Sequence, residues 1–299
     1  MRIVIALGGN ALLRRGERPD AAIQSAHLAA VAPALAAAAR DHEVLLVHGN
    51  GPQVGLLATE SAADPQLSAP YPLDGLVAET QGLIGYLLQQ ALGNAGVPRI
   101  ATLVTRVEVD PLDPALEAPT KFIGAAYTEA EAETARTAGW TVAADGARWR
   151  RVVGSPAPLR IVELDAAVAL LAAGFTVVVA GGGGIAVGAG PEGLTGVEAV
   201  IDKDLTAALL AEGVGADLLV ILTDVEAVMT GFGTPEQEAL GAVTADQLDG
   251  SFWPAGSMGP KVAAASRFVR TTGRRAAIGS LDDAGAVIAG TAGTQISRD

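Results

Sequence analysis

The chain of 299 residues is long enough for one large domain or two closely joined ones. Half of its residues are hydrophobic, so it can bury a sizeable core, and its formal net charge of −13 argues against a nucleic-acid partner. The absence of cysteine excludes disulfide bonds and thiolate metal sites, and the three histidines do not fall at a metal-ligand spacing. We therefore expect no metal site built from protein side chains.

Short apolar stretches alternate along the chain with Ala- and Leu-rich stretches of helical length. The predicted strands are residues 3–7, 44–48, 100–107, 176–180, 218–223 and 276–279. The predicted helices are residues 21–40, 53–63, 73–92, 164–173, 203–212 and 261–271. Near-continuous apolar strands that alternate with helices are typical of a largely parallel sheet covered on both faces. Pro33, inside the first helical pattern, predicts a kink or an early end of that helix.

Two segments depart from this alternation. Residues 166–191 carry no charge and are long enough to span a bilayer, but seven glycines would break a helix there. The apolar run at the N-terminus is too short for a signal peptide, so we expect a soluble, cytoplasmic protein with no membrane partner. Residues 113–158 are polar and rich in Pro and Gly, with a helical stretch at 129–138 and a hairpin expected around Asp145-Gly146. We predict that this insertion projects from the sheet as a small subdomain.

Four glycine-rich turns follow or precede predicted elements where a ligand could bind. They are Gly8-Gly9-Asn10, Gly49-Asn50-Gly51-Pro52-Gln53, the four glycines at 181–184, and Gly256-Ser257-Met258-Gly259-Pro260-Lys261. Glycine lets the backbone approach a ligand closely, and a helix N-terminus offers free N–H groups to an anion. In an α/β sheet such turns gather at the carboxyl ends of the strands. The pattern predicts a site for a phosphorylated ligand.

Lysine is scarce, since only Lys121, Lys203 and Lys261 occur among twenty lysines and arginines. A compact ammonium differs from a planar guanidinium, so lysines that remain in an Arg-rich chain are candidates for point-charge roles. In Asp202-Lys203-Asp204 the first aspartate could be a helix N-cap, and the lysine sits where the helix dipole disfavours it. A bound phosphate would explain that lysine, and the flanking aspartates would keep it protonated and in place.

Two familiar nucleotide motifs do not fit. Residues 181–186 match a dinucleotide fingerprint, with Asp202 at about the right distance, but the glycines that follow rule out the helix that this motif requires. The turn that ends at Lys261 lacks the spacing of a Walker A loop and the Ser or Thr that follows its lysine.

The motifs together resemble carbamate kinase, a branch of the amino-acid kinase superfamily. They are Ala6-Leu-Gly-Gly-Asn-Ala-Leu12, His48-Gly-Asn-Gly-Pro-Gln-Val-Gly55, Gln81-Gly-Leu-Ile-Gly-Tyr86, the glycines at 181–184, Gly196-Val-Glu-Ala-Val-Ile-Asp-Lys-Asp204, Leu222-Thr-Asp-Val225 and Gly256-Ser-Met-Gly-Pro-Lys261. They cover essentially the whole chain in order. The resemblance implies a three-layer αβα sandwich around an open, mostly parallel eight-stranded sheet, a protruding subdomain and a homodimer. It also implies reversible phosphoryl transfer between ATP and carbamate, with Mg²⁺ on the nucleotide, run toward ATP synthesis in arginine metabolism.

The resemblance also implies a division of the chain and a set of site residues. Residues 1–112 and 159–215 would form the carbamate or carbamoyl-phosphate side, 113–158 a lid, and 216–299 the nucleotide-binding part. The implied substrate-binding residues are Gly8, Gly9, Asn10, Gly49, Asn50 and Gly51. Lys203 and Lys261 would flank the transferring phosphoryl group, with Asp204 holding them and Lys121 reaching in from the lid. The implied nucleotide-binding residues are Asp202, Thr223, Asp224, Met258, Gly182 and Gly183.

Two alternatives remain open at this point. The chain could be another amino-acid kinase, acting on a different carboxylate or a phosphonate, or a nucleotide-binding regulator without turnover. The positive mean hydropathy favours an oligomer, because it implies more apolar surface than a monomer easily buries.

Overall fold

The computed structural model of the protein describes residues 1–9, 12–14, 16–249, 253 and 258–298. Its helices are α1 (Ala21–Asp41), α2 (Gly51–Ala63), α3 (Leu73–Asn94), α4 (Glu129–Thr137), α5 (Leu164–Ala172), α6 (Lys203–Val214), α7 (Ala245–Asp249), α8 (Met258–Thr272) and α9 (Ala284–Ala289). Its strands are β1 (Arg2–Leu7), β2 (Glu43–His48), β3 (Ile100–Thr102), β4 (Arg106–Val109), β5 (Lys121–Tyr127), β6 (Val142–Asp145), β7 (Arg148–Val153), β8 (Pro158–Ile161), β9 (Thr176–Val178), β10 (Ile185–Gly190), β11 (Gly193–Gly196), β12 (Leu218–Thr223), β13 (Met229–Thr230), β14 (Glu238–Ala239), β15 (Ala242–Thr244), β16 (Arg275–Ser280) and β17 (Thr294–Ser297).

The main sheet is the predicted one. Among the described residues, eight strands pair in the order β15-β17-β16-β12-β1-β2-β9-β3, and every pair is parallel except β16 with β17. The centre of the sheet is dry, because every residue of β12 and all of β1 after Arg2 are buried. Such apolar strands can be buried only if helices cover both faces.

The alternation of side chains along β1 shows the three layers. Ile3, Ile5 and Leu7 pack in one apolar cluster with α1, α3 and α9, whereas Val4 and Ala6 pack in a second cluster with α5, α6 and α8. Successive residues of a strand point to opposite faces, so one strand supplies both cores. The predicted αβα sandwich is confirmed.

Among the described residues three smaller sheets stand beside the main one, and the smallest is the pair β13-β14. Strands β11-β10-β4-β8 form a four-stranded sheet, and β5-β7-β6 form a three-stranded sheet that carries α4 within residues 113–158. We call residues 113–158 the lid. The lid rests on α2, where a Cβ built on Gly55 would lie 2.1 Å from the Cα of Gly124. Ile123 and Val153 of the lid share an apolar cluster with Val54 of α2.

One sequence prediction about an individual element is wrong, and of the two outcomes predicted at Pro33, a kink or an early end, the early end does not occur. Residues 100–107 do not form one strand, because the chain leaves the main sheet after Thr102 and enters the four-stranded sheet at Arg106. The backbone and hydroxyl of Thr105, in the gap, bond to Gln81 and to the backbone of Ala180, which anchors the crossing. Pro33 does not end the first helix, since α1 continues to Asp41.

The charge-free residues 166–191 do not form one long helix, as expected: they contain most of α5, then β9, and the glycine turn separates β9 from β10. A different helix, α1, is long and apolar enough to cross a membrane by length and composition. Its residues Leu28, Val31 and Leu35 belong to the core cluster that covers β1, so it has the packing of a core helix.

Candidate functional site: a lysine–aspartate cluster at the strand ends

The glycine turns meet at the carboxyl ends of neighbouring strands, as the sequence predicts. Gly8 N donates to Leu222 O (2.9 Å), and Gly49 N donates to Leu7 O (3.1 Å), so the turns after β1 and β2 continue the sheet pairing. A Cβ on Gly49 would lie 3.3 Å from Gly9 N and 3.4 Å from Lys203 Cδ. This close approach explains the need for glycine and places the first two turns beside Lys203. Asn10 lies outside the described residues.

Two lysines converge on one buried carboxylate. Lys203 Nζ donates to Asp204 Oδ1 at 2.5 Å, and Lys261 Nζ, from the first turn of α8, donates to Asp204 Oδ2 at 3.2 Å. The side chain of Asp204 is 3% exposed, so its charge acts almost entirely on the two ammonium groups. The arrangement fixes two positive charges side by side, as predicted for residues that flank a phosphoryl group.

Asp202 has a different partner from the one predicted. Its Oδ1 accepts from the backbone N–H of Asp204 (2.9 Å) and Leu205 (3.4 Å), which makes it the N-cap of α6. Its Oδ2 accepts from Lys121 Nζ of the lid at 2.5 Å. Asp202 therefore makes no hydrogen bond to Lys203; it caps α6, as one prediction had it, and pairs with the lid lysine. The nucleotide-binding role of Asp202 stays a prediction.

The charges of this cluster depend on one another. Burial lowers the pKa of Lys203, and the neighbouring Asp204 opposes that shift. Burial alone would raise the pKa of Asp204, but Lys203 and Lys261 outweigh it and hold the carboxyl below its ordinary value. Asp202 is likewise held below its ordinary pKa, against burial, mainly by Lys121. Three lysines and two ionised aspartates leave one net positive charge facing the turns.

The turn after β2 is supported by two residues that had no predicted role, Thr80 and Gln81. Asn50 Nδ2 donates to Thr80 Oγ1 of α3 (2.8 Å), and Gln81 binds the carbonyl of Gly181 (2.9 Å) and the backbone of Thr105. All of these side chains are buried. Gln81 belongs to a motif noted in the sequence. Thr80 belongs to none, and its role follows only from the path of α3 beneath the turn.

The four glycines at 181–184 lie on the side of Asn50. A Cβ on Gly182 would lie 2.2 Å from Asn50 Nδ2, and one on Gly183 would lie 2.3 Å from Ile201 O. Both glycines are buried and have positive φ angles, 69° and 91°. The turn follows β9, which is three strands from β12, about 14 Å at the usual spacing. The turn therefore lies away from Thr223, and the nucleotide-binding role of Gly182 and Gly183 stays a prediction.

The predicted nucleotide residues lie at the other end of the site. Thr223 ends β12, and its Oγ1 donates to Asp224 Oδ1 at 3.1 Å. Met258 begins α8 and is partly buried. Gly256 and Ser257 lie outside the described residues. Thr223 thus ends a strand on the other side of β1 from β2 and its Asn50 turn, and Met258 lies one turn before Lys261 in α8.

The comparisons with known proteins agree along the whole chain. The model of the amino acid kinase family matches residues 1–280. The carbamate kinase of Rhizobium meliloti (strain 1021) is 52% identical over 304 residues, which cover 99% of this chain and 93% of that protein. The chain belongs to the amino acid kinase family and, within it, to the carbamate kinases.

Solved structures of this family have the same fold. Carbamate kinase from Giardia lamblia bound to citric acid superposes with a TM-score of 0.94 at 37% identity, covering 100% of this chain and 98% of that one. The same enzyme bound to AMP-PNP superposes with a TM-score of 0.89 at 37% identity, with the same coverage. As a member of this family the chain is an ATP-dependent kinase.

A kinase of this family needs charge placement more than covalent chemistry. Phosphoryl transfer is catalysed mainly by positioning the reactants and stabilising charge on the transferred group. Each ammonium has three N–H donors, and Asp204 takes one from Lys203 and one from Lys261. Asp204 thus holds the two ammonium groups close together at the strand ends.

His48 is the histidine nearest to this centre, and it is not placed to transfer protons. Its ring is buried, burial lowers its pKa to about 4, and Nδ1 donates to the carbonyl of Gly49 at 3.0 Å. The ring therefore stays neutral at physiological pH and supports the turn. A proton acceptor is unnecessary if the attacking group is already an anion.

Proposed function

We propose that this protein catalyses reversible phosphoryl transfer between ATP and carbamate, giving ADP and carbamoyl phosphate. A carbamate oxygen attacks the γ-phosphorus of ATP, and the bond from that phosphorus to the β,γ-bridging oxygen breaks, so that the electron pair leaves with ADP. The observation that carries the proposal is the pair of ammonium groups on Asp204, beside the Gly49 turn and below Lys121 of the lid. In cells we expect the reaction to run toward ATP, in the cytoplasm and in arginine metabolism.

The two halves of the site suit the two substrates. The turns at Gly8-Gly9 and Gly49-Asn50-Gly51 present the N-terminus of α2 to a small anion, beside Lys203. We assign carbamate or the carbamoyl group to this half. We assign the nucleotide to the half that holds Thr223, Asp224 and Met258; that the Giardia relative was solved bound to AMP-PNP supports a nucleotide ligand for the family.

Magnesium would be bound by the phosphates of the nucleotide rather than by protein side chains. Within the part of the chain that the structure describes, no group of three His, Asp or Glu side chains could hold a metal ion. The oxygens of Asp204 and Asp202 are taken by lysines and backbone N–H groups. Mg²⁺ commonly binds through substrate phosphates and water, and when bound it would neutralise charge on the β- and γ-phosphates.

The proposed homodimer is supported by an apolar surface at the end of the main sheet. Leu83 and Tyr86 of α3 are 46% and 59% exposed, and Val104, just after the edge strand β3, is 57% exposed. A two-fold axis at this edge would cover all three side chains and the unpaired edge of β3.

A coupled assay tests the proposed function. The protein is supplied with carbamoyl phosphate, ADP and Mg²⁺, and ATP is measured with hexokinase and glucose-6-phosphate dehydrogenase. ATP formation supports carbamate kinase activity. Binding of ADP without ATP formation would instead support a regulator, and activity only with another acyl phosphate or a phosphonate would support a different amino-acid kinase.

A further inference from the structure

The side-chain amide of Asn50 is held in one orientation by Thr80. The Thr80 hydroxyl donates its only proton to the carbonyl of Val77, at 2.7 Å, one turn back in α3. Thr80 Oγ1 can therefore act only as an acceptor toward Asn50. The group 2.8 Å away must be the NH₂ of Asn50, and the amide oxygen must point the other way.

A second neighbour confines the amide. The side chain lies flat against Gly182, where a Cβ would be 2.2 Å from Nδ2 and 2.8 Å from Oδ1. Only glycine, here with φ +69°, leaves room for this contact. Asn50 is 2% exposed, so its orientation is set by the protein rather than by solvent.

Among the residues that the structure describes, Thr80 accepts from Asn50 Nδ2 and none donates to Asn50 Oδ1. Asn50 directly follows Gly49, the residue that packs against Lys203 Cδ. Asn50 thus belongs to the half of the site assigned to the small anion, next in sequence to the glycine that packs against Lys203.

The chemistry of the substrate gives this acceptor a purpose. Carbamoyl phosphate differs from acetyl phosphate by an NH₂ group in place of a methyl group of nearly the same size. Only the NH₂ group can donate a hydrogen bond to the fixed Asn50 Oδ1, whereas a methyl group would leave that oxygen without a hydrogen bond. If the amide were turned over, its own NH₂ would face the substrate NH₂ and repel it.

We propose that Thr80 is a specificity-determining residue. By accepting from Asn50 Nδ2, it fixes Asn50 Oδ1 as the acceptor that recognises the amino group of carbamate and selects it over acetate. Thr80 does not touch the substrate in this scheme, so it is a positioning residue. The proposal rests on the carbamate kinase activity proposed above and adds the origin of its selectivity.

The test compares two acyl phosphates in two variants. Thr80→Val keeps the shape of the side chain and removes the oxygen, whereas Thr80→Ser keeps the hydroxyl and is the matched control. For each protein, kcat/KM is measured with carbamoyl phosphate and with acetyl phosphate in the ATP-forming direction. Where turnover of acetyl phosphate is too slow, its inhibition constant against carbamoyl phosphate replaces kcat/KM. Thermal unfolding of each variant is followed in parallel.

The preference is the ratio of kcat/KM for carbamoyl phosphate to kcat/KM for acetyl phosphate. We expect this ratio to fall about tenfold in Thr80→Val, the equivalent of about 1.4 kcal/mol. In Thr80→Ser it should stay within about twofold of the value for the unsubstituted protein. An equal loss with both acyl phosphates, or an unchanged preference, would show that Thr80 has only a structural role and would overturn the proposal. If Thr80→Val does not fold, Thr80→Ala takes its place and is judged by the same ratio. Failure of the unsubstituted protein to use carbamoyl phosphate at all is a separate result, which would overturn the proposed function and this inference with it.

Discussion

Replacing Lys203 by arginine tests whether the site needs a compact charge. The stem of Lys203 is confined, since its Cδ lies 3.4 Å from the position of a Cβ on Gly49, and its side chain is 10% exposed. A guanidinium is larger and planar, with donors in fixed directions. Arginine that keeps its bond to Asp204 would therefore have to displace the glycine turn or aim its remaining donors away from the phosphoryl group.

The expected loss can be estimated from the number of contacts removed. Loss of one preorganised donor at a transition state costs roughly 3–4 kcal/mol, which is two to three decades in kcat. We expect Lys203→Ala to lose this much and Lys203→Arg to lose most of it. The fold should survive in both, because Asp204 keeps Lys261 as a partner and no buried carboxylate is left unpaired.

The assay is ATP formation from carbamoyl phosphate and ADP, with thermal unfolding measured on the same samples. Arg267→Lys is the matched control, since Arg267 pairs with Glu212 on the surface and should tolerate the exchange of one cation for another. If Lys203→Arg kept kcat/KM within about threefold of the unsubstituted protein, the argument for a point charge at this position would be wrong.

Three other predictions concern the lid, the buried histidine and the apolar edge. Lys121→Ala should raise KM for carbamoyl phosphate at least tenfold and leave ADP affinity nearly unchanged, because the lid lysine faces Asp202 and the small-anion half of the site. If the steady-state constants for carbamoyl phosphate are the same in the variant and in the unsubstituted protein, the ion pair is only structural. His48 has its pKa lowered to about 4, so an unfolded chain with an ordinary histidine takes up a proton first as pH falls from 6.5. The contribution of His48 to the free energy of unfolding is thus complete above pH 6.5 and about 2 kcal/mol smaller at pH 5. Urea unfolding at pH 7 and pH 5 should therefore show a change in this free energy that is about 2 kcal/mol smaller in His48→Gln than in the unsubstituted protein. An identical change in the two proteins would contradict the assignment. Tyr86→Arg should convert the proposed dimer into a monomer in sedimentation at micromolar concentration, and a monomeric unsubstituted protein would reject the dimer itself.

The sequence predicts the centre of the fold well because burial there is simple. The central residues of β1, β2 and β12 (3–7, 44–47 and 218–222) are all apolar and buried, as a strand covered on both faces requires. The prediction failed at residues 100–107, where two short apolar stretches belong to different sheets. The break is made by long-range bonds from Gln81 to Thr105 that no local pattern contains.

The site shows the same limit. The lysines were found because their scarcity and their motifs mark them, and the structure brings Lys121, Lys203 and Lys261 to two adjacent aspartates. Their pairing could not be predicted, because in Asp202-Lys203-Asp204 either carboxylate could have held the lysine between them. The start of α6 decides this pairing, because one carboxylate oxygen of Asp202 caps the helix and the other accepts from Lys121 of the lid.

The contact between Gly55 and Gly124 restricts how the lid can move. The two backbones touch there without an intervening side chain, with φ +70° at Gly124 on one side and the α2 helix on the other. Beside this contact Ile123 and Val153 of the lid pack with Val54 of α2, so the two surfaces meet over more than one residue. The contact opposes sliding of the lid along α2, because any neighbouring residue of the helix would bring a Cβ against the backbone of Gly124.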